Sequence, residues 1–215
     1  MKLPLFPLRT VLFPGMLLPL HIFEPRYREM INLCVRTDQP FGVVLIRSGV
    51  EVGGEAEPHP VGTYARVSRV ERLPDGRMNI ETVGQDRFRI LSLSREATYL
   101  TGTVEHYPLL EQEAPLARKS VRALLPWLER YLALIGEATH EPFNLERLPP
   151  DPVTVAYLAA IVAQIPLEEK QSLLTTSTAA AMLEQERAIY RREVSLLRTM
   201  LNSDQSKSSP VFSPN

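Results

Sequence analysis

Few side chains in this sequence have the type and spacing that chemistry requires. There is a single cysteine, Cys34. A thiolate is a nucleophile and a metal ligand, but Cys34 falls on an apolar stripe with Tyr27, Met30, Ile31 and Val35 at helical spacing. On such a stripe a free cysteine acts as a small hydrophobe. The histidines, at positions 21, 59, 106 and 140, are scattered. Glu57 and His59 in EAEPHP form one weak ligand pair, and no second pair has metal-site spacing, so a solvated loop is the simpler reading. His21 lies in an apolar strand and reads as a satisfied structural histidine. No Ser/His/Asp triad can be assembled without inventing geometry. The sequence contains no Gly-Lys dipeptide, hence no phosphate-binding loop, and no G-x-S-x-G elbow. These features predict no catalytic residue, no metal and no cofactor.

Arginine carries the remaining signal. Arg66, Arg69, Arg72, Arg77, Arg87, Arg89 and Arg95 concentrate on one stretch, interleaved with Glu71, Asp75, Glu81 and Asp86. Cross-strand ion pairs on a solvated face are the plain explanation. An RNA- or anion-binding sheet face is the sharper one. Phe13 and Met16 flank a Pro-Gly turn; they serve either as core plugs or, if exposed, as an apolar docking surface for a peptide.

The elements that must position these residues follow from pattern and punctuation. Leu3, Leu5 and Leu8 lie in an extended, proline-marked stretch, and Leu17 to Phe23 is a second apolar strand. Glu24-Pro25 opens a helix, with Pro25 at the first helical position and Glu24 at the positive end of the dipole; Thr37-Asp38-Gln39-Pro40 stops it. Phe41 to Ile46 is a continuous apolar run, the signature of a central strand. Residues 48–60 read as a Gly/Glu/Pro loop. Val61 to Leu73 and Met78 to Leu91 form a long hairpin around Pro74-Asp75-Gly76, with Gly84 marking a bulge. Leu100 to Tyr107 is the last strand. About six strands, one short helix and no βαβ alternation predict a small closed or nearly closed barrel.

From residue 114 the period becomes helical. Val121, Leu124, Leu128, Tyr131, Leu132 and Ile135 share a face, and Gly136 is the expected stop. Pro126 inside this pattern predicts a kink. A linker with Pro142, Pro149 and Pro150 follows. Asp151-Pro152 starts a helix that runs to Ile165, and Pro166-Leu167 starts a short one. Ser177 or Thr178 caps the last, with Leu183, Tyr190, Val194, Leu197 and Leu201 on its buried face. The expected division is residues 1–113 as the barrel, 114–201 as a helical bundle and 202–215 as a disordered tail.

Composition agrees with an ordinary globular chain. Of 215 residues, 44% are hydrophobic and 23% charged, and the formal net charge of −1 leaves no global footprint for nucleic acid or anionic membrane. One cysteine fits a reducing compartment. The proline-broken N-terminus lacks a signal-peptide core, and the apolar run from Val153 to Ile165 is too short to span a bilayer. The expected location is the cytoplasm.

Several long blocks, in order, resemble one family. LPLFPLRTVLFPGMLLPLHIFEPRYREMI resembles the start of the Lon protease N-terminal substrate-binding domain. FGVVLIRSGVEVGG, VGTYARVSRVERLPDGRMNIETVGQDRFRIL and PLEEKQSLL continue the likeness to about residue 201. The same domain resembles part of cereblon. The resemblance implies an α+β fold: a PUA-like β-barrel of about six strands with one short helix, then a C-terminal α-helical bundle. Lon proteases continue into ATPase and Ser-Lys protease modules whose phosphate loop and P-K-D-G-P-S-A-G segment have no counterpart in these residues. The role implied is therefore non-catalytic binding of unfolded or exposed polypeptide, or of a protein partner. The alternatives are an RNA-binding PUA-like module and a regulatory partner of a separate protease; a homo-oligomer is compatible with either. Glu24, Arg26 and Tyr27 match the E-P-R-Y block and Arg87-Phe88 the R-F-R block, where Arg26 or Arg87 would pair with a carboxylate. The candidate partner-binding residues are Phe13, Met16, Arg26, Tyr64, Arg66 and Arg87.

Overall fold

A computed structural model describes residues 1–51, 56–111, 114–139 and 151–207. His140, the proline linker with Pro142, Pro149 and Pro150, and most of the expected tail lie outside them. The chain divides into two compact units, Met1–Leu110 with Ala160–Ser177, and Glu111–Ala159 with Thr178–Asn215. The expected boundary near 113 thus falls at 110/111, and residues 160–177 belong with the strands rather than with the other helices.

The first unit carries β1 (Lys2–Leu8), β2 (Leu17–Ile22), α1 (Pro25–Thr37), β3 (Phe41–Gly49), β4 (Ala56–Pro58), β5 (Val61–Arg72), β6 (Met78–Ser94) and β7 (Thr101–His106). Antiparallel pairings link β1 to β7, β7 to β6, β6 to β5 and β5 to β3, and β3 returns to β1 in parallel. The strand pairings therefore run in a circuit. β3 has strands on both edges and buries Phe41 through Ile46 without a break, as a continuous apolar run should. Among the described residues there are seven strands rather than about six. The extra one is β4, within residues 48–60 that read as loop; its three residues are too few to show an alternating pattern.

α1 begins and ends as its residues dictate. Pro25 occupies its first turn, and Asp38 closes it in the left-handed conformation (φ 52°). The Gln39 amide donates to the Cys34 carbonyl at 3.0 Å, closing the last turn. Tyr27, Met30, Ile31 and Cys34 face one core with Phe6, Phe41 and Ile80. A second core collects Leu3, Leu5, Val44, Phe88 and Val104.

β6 exchanges neighbours midway. Its residues 78–83 pair with β2 and residues 88–94 with β7, while β5 runs along the other edge. Between the two segments the β5 register shifts, with Thr63 opposite Arg87 but Ala65 opposite Gly84. This irregularity is the bulge expected at Gly84.

In the second unit, α2 (Ala114–Thr139) packs against α5 (Ala179–Lys207), with the Tyr131 and Tyr190 rings edge-on at 5.0 Å. α2 continues through Pro126 as one helix and passes Gly136 to end at Thr139. Proline removes one backbone donor and frees the carbonyl four residues earlier. That residue is Arg122, and both it and Pro126 are exposed, so water can satisfy the freed group. α3 (Pro152–Val162), whose last three residues count with the first unit, is capped by Asp151, whose Oδ2 accepts from the Thr154 amide at 2.8 Å. α3 ends three residues before Ile165. Thr178 caps α5 by accepting from the Ala181 amide at 3.3 Å. α5 runs to Lys207, beyond the boundary expected at 201. No described helix is long and apolar enough to cross a membrane.

Candidate functional site

The six candidate residues serve different neighbours. Phe13 is fully buried and Met16 is half-buried against the first core. Between them the chain makes a tight turn: the Met16 amide donates to the Phe13 carbonyl at 3.0 Å, with Pro14 and Gly15 (φ 82°) at the central positions. That is the arrangement a type II turn requires. The turn is sewn to the bulge on β6, because Gly15 donates to Gly84 at 2.8 Å and Gly84 donates to Met16 at 2.9 Å. Phe13 is thus a core plug and offers no surface for docking.

Arg87 is fully buried. Its Nη1 donates to the Leu174 and Thr176 carbonyls at 2.6 and 2.7 Å, at the C-terminus of α4 (Leu167–Thr175). A cation there complements the helix dipole. Tyr107 stacks on the same guanidinium at 4.9 Å and donates its hydroxyl to the Thr175 carbonyl at 2.9 Å. Gln171 of α4 donates to the Val61 carbonyl at 3.0 Å. Arg87 therefore clamps α4 to the strands instead of meeting a partner, and the acceptors identified for it are carbonyls where a carboxylate was expected. Arg26 does meet a carboxylate, Glu24, at 2.9 Å, and lies over the Tyr27 ring at 4.6 Å. Tyr64 packs on Phe88 with ring centres 4.9 Å apart, and burial raises its phenol pKa.

The arginine-rich hairpin is paired throughout. Arg66 bonds Asp38, and Arg69, Arg77, Arg89 and Arg95 meet Glu81, Asp75, Glu105 and Glu57 at 2.5 to 3.4 Å. Arg72 donates to Asn32 at 2.8 Å. Arg69–Glu81 and Arg89–Glu105 are cross-strand pairs and the others join a strand or turn to a neighbouring segment, so among the described residues the hairpin arginines form no unpaired cationic track for RNA.

Cys34 packs in the first core, and Glu57 and His59 face different partners. Burial pushes the Cys34 thiol up to about 11, so it stays protonated at neutral pH. Glu57 turns to Arg95, while His59 lies 3.5 Å from Glu168. Among the described residues no three His, Cys, Asp or Glu side chains cluster as a metal site would require.

What the strands do assemble is a groove on the outer face of β2, β6 and β5, about 410 Å³ in volume. Register puts His21 beside Asn79 and Asn79 beside Glu71. The three side chains bond in a row, 2.7 Å from His21 to Asn79 and 3.0 Å from Asn79 to Glu71. The next row is Pro19, Glu81 and Arg69. Leu17, at 68% exposure, opens β2, and Phe23, at 46%, follows its last residue. A polar floor flanked by exposed apolar side chains suits an extended chain with mixed side chains. The hairpin turn fixes Glu71 opposite Asn79, so half of this row is readable from the sequence. The pairing of β2 with β6, which brings His21, has no local signal.

Residues 2–190 match the family described as the ATP-dependent protease La (LON) substrate-binding domain. The chain belongs to this LON substrate-binding domain family. It is 31% identical over 202 residues to Lon protease 2 of Myxococcus xanthus, covering 91% of this chain and 24% of that protein. It is 30% identical over 202 residues to the Lon protease of Anaeromyxobacter dehalogenans, again covering 24% of the relative. The chain thus spans about a quarter of the length of these Lon proteases. Among solved structures, it is similar to a Lon N-terminal domain protein from Xanthomonas campestris, at a TM-score of 0.62 and 27% identity, covering 87% of this chain and 98% of that one. It also shares the fold of the N-terminal domain of the Mycobacterium avium complex Lon protease, at a TM-score of 0.66 and 18% identity, covering 89% and 98%. Within this LON domain the E-P-R-Y block sits at the start of α1. Glu24 and Arg26 pair there, and Tyr27 stacks on Phe6 at 4.0 Å, so the block holds α1 to the first core.

Proposed function

We propose that this LON domain recognises exposed polypeptide, as a substrate-recognition or adaptor element, and performs no chemistry itself. The observation that carries this reading is the match of residues 2–190 to a substrate-binding domain. The groove along β2 supports it: Leu17 and Phe23 offer apolar contacts, and the row from His21 to Glu71 offers hydrogen bonds. In the same reading the circuit of strand pairings is the wall of a PUA-like barrel, and the helices of the second unit form a bundle. The catalytic steps would be those of a protease that uses this domain to select its clients.

The test is binding of a permanently unfolded protein, such as reduced and carboxymethylated lactalbumin, against its folded form. The chain should retain the unfolded form and ignore the folded one. Leu17→Asp and Phe23→Ser, both at exposed positions, should weaken capture several-fold without altering the circular dichroism spectrum. Capture no better than that of an unrelated β-barrel protein would overturn the proposal.

A further inference from the structure

The helical unit carries a second concave surface with a different chemistry. Trp127 on α2 faces a stripe of α5 made of Ala188, Arg191, Ser195 and Arg198, with Arg192 and Thr199 beside it; together they line an open groove of about 630 Å³. That is within the range of sites that hold ligands. The stripe follows from helical spacing, since residues 188, 191, 195 and 198 fall on one face. Ala188 keeps the floor open. Two guanidinium groups stack on the indole, Arg130 at 5.1 Å and Arg191 at 5.6 Å from the ring, so the aromatic holds its cations in place.

Charge is unbalanced in this groove. No Asp or Glu is among the described residues that line it, against three arginines. Arg192 is neutralised by Glu193 at 2.8 Å. Upstream, Arg187 is held by Glu184 at 3.0 Å. Arg191 and Arg198 are exposed, and neither meets a carboxylate among the described residues.

We infer that this groove takes an acidic segment of a polypeptide, its carboxylates on Arg191 and Arg198 and its apolar or peptide surface on Trp127. Charge complementarity selects this occupant. Seven residues of helix separate the two arginines, roughly 10 Å at 1.5 Å per residue, the reach of about three extended residues. A nucleic-acid backbone calls for a longer cationic track, and the chain's net charge of −1 adds no long-range attraction. The inference rests on the polypeptide-recognition reading and narrows it to a client class.

Trp127 is the only tryptophan in the sequence, so its fluorescence reports on this groove alone. The experiment titrates the full chain with a decapeptide of Asp, Glu, Ser and Leu and with its Asn/Gln twin. The acidic peptide should bind at least five-fold more tightly, and the difference should shrink as salt rises. Arg191→Gln with Arg198→Gln should abolish the preference. Arg191→Lys with Arg198→Lys should keep most of it, and Arg36→Gln with Arg47→Gln, an equal charge loss on the other unit, should leave it intact. Equal affinity for both peptides, indifference to the Arg191/Arg198 substitutions, or tighter binding of an oligothymidylate would overturn the inference. If unfolded lactalbumin is still captured in those cases, the broader reading stands; if it is not, both fall.

Discussion

Glu186 lies on the buried face of α5, between Met182 and Tyr190, and is 1% exposed. Neither of its carboxyl oxygens has a hydrogen-bond partner among the described residues. The Tyr190 hydroxyl, one turn on, is committed to the Ala159 carbonyl at 2.6 Å. Burial pushes the Glu186 carboxyl well above its ordinary range, because the charged form would lose its hydration without compensation. Removing the carboxyl should therefore stabilise the helical unit. An unpartnered buried polar group costs about 1–3 kcal/mol, so Glu186→Leu, of similar volume, should raise the melting temperature of the whole chain by roughly 3–9 °C at about 3 °C per kcal/mol. The pH dependence is the sharper test. A carboxyl with a raised folded pKa holds its proton better in the folded state than in the unfolded one. Its contribution is most favourable below the unfolded pKa and is lost as pH rises toward the folded pKa. In that window stability falls by about 1.4 kcal/mol per pH unit. Glu186→Gln keeps the shape and cannot ionise, so its advantage over the parent should widen as pH rises from about 4.3, the ordinary glutamate value. Denaturation followed by far-UV circular dichroism from pH 4 to pH 8 measures both. Parallel stability curves for parent and Gln variant, or a Leu variant destabilised by several kcal/mol, would refute the reasoning, since either would mean a paired carboxylate.

Other substitutions probe the framework. A Cβ on Gly84 would fall inside the Phe13 carbonyl, whereas one on Gly15 would meet open space and only the strain of a positive φ. Gly84→Ala should therefore lower stability by about 2 kcal/mol or more and Gly15→Ala by about 1–2 kcal/mol, read by urea denaturation; equal effects would contradict the packing of the turn on β6. Arg87→Met removes the clamp on α4 and strands the Leu174 and Thr176 carbonyls, at about 3 kcal/mol. Hydrogen exchange over residues 167–175 should accelerate well before the strands open; uniform acceleration would argue against a local clamp. Pro126→Ala restores a helical donor at an exposed position and should stabilise the helical unit by about 1–3 kcal/mol, measured by thermal melts.

What the sequence reveals follows from how local each cause is. The stripe of α1, the unbroken run of β3 and the Asp151 cap are written within a few residues, and each stands where its pattern predicts. The β6 bulge was also legible, because Gly84 interrupts an alternating strand. β4 was not, since three residues cannot carry a period. α5 outran its expected end because polar residues near 202–207 end an apolar stripe without ending a helix. The site divides in the same way. Arg87 reads as one surface arginine among several on a hairpin, yet its task is set by α4, some eighty residues later. Likewise His21 gains a role only because β2 pairs with β6 rather than with its sequence neighbours. Interactions that close over such distances depend on register and topology, and residue spacing records neither. A family likeness can supply the missing topology: the blocks that resemble the Lon domain point to a Lon N-terminal-like fold, whereas the contacts of a single side chain still depend on the register of this chain.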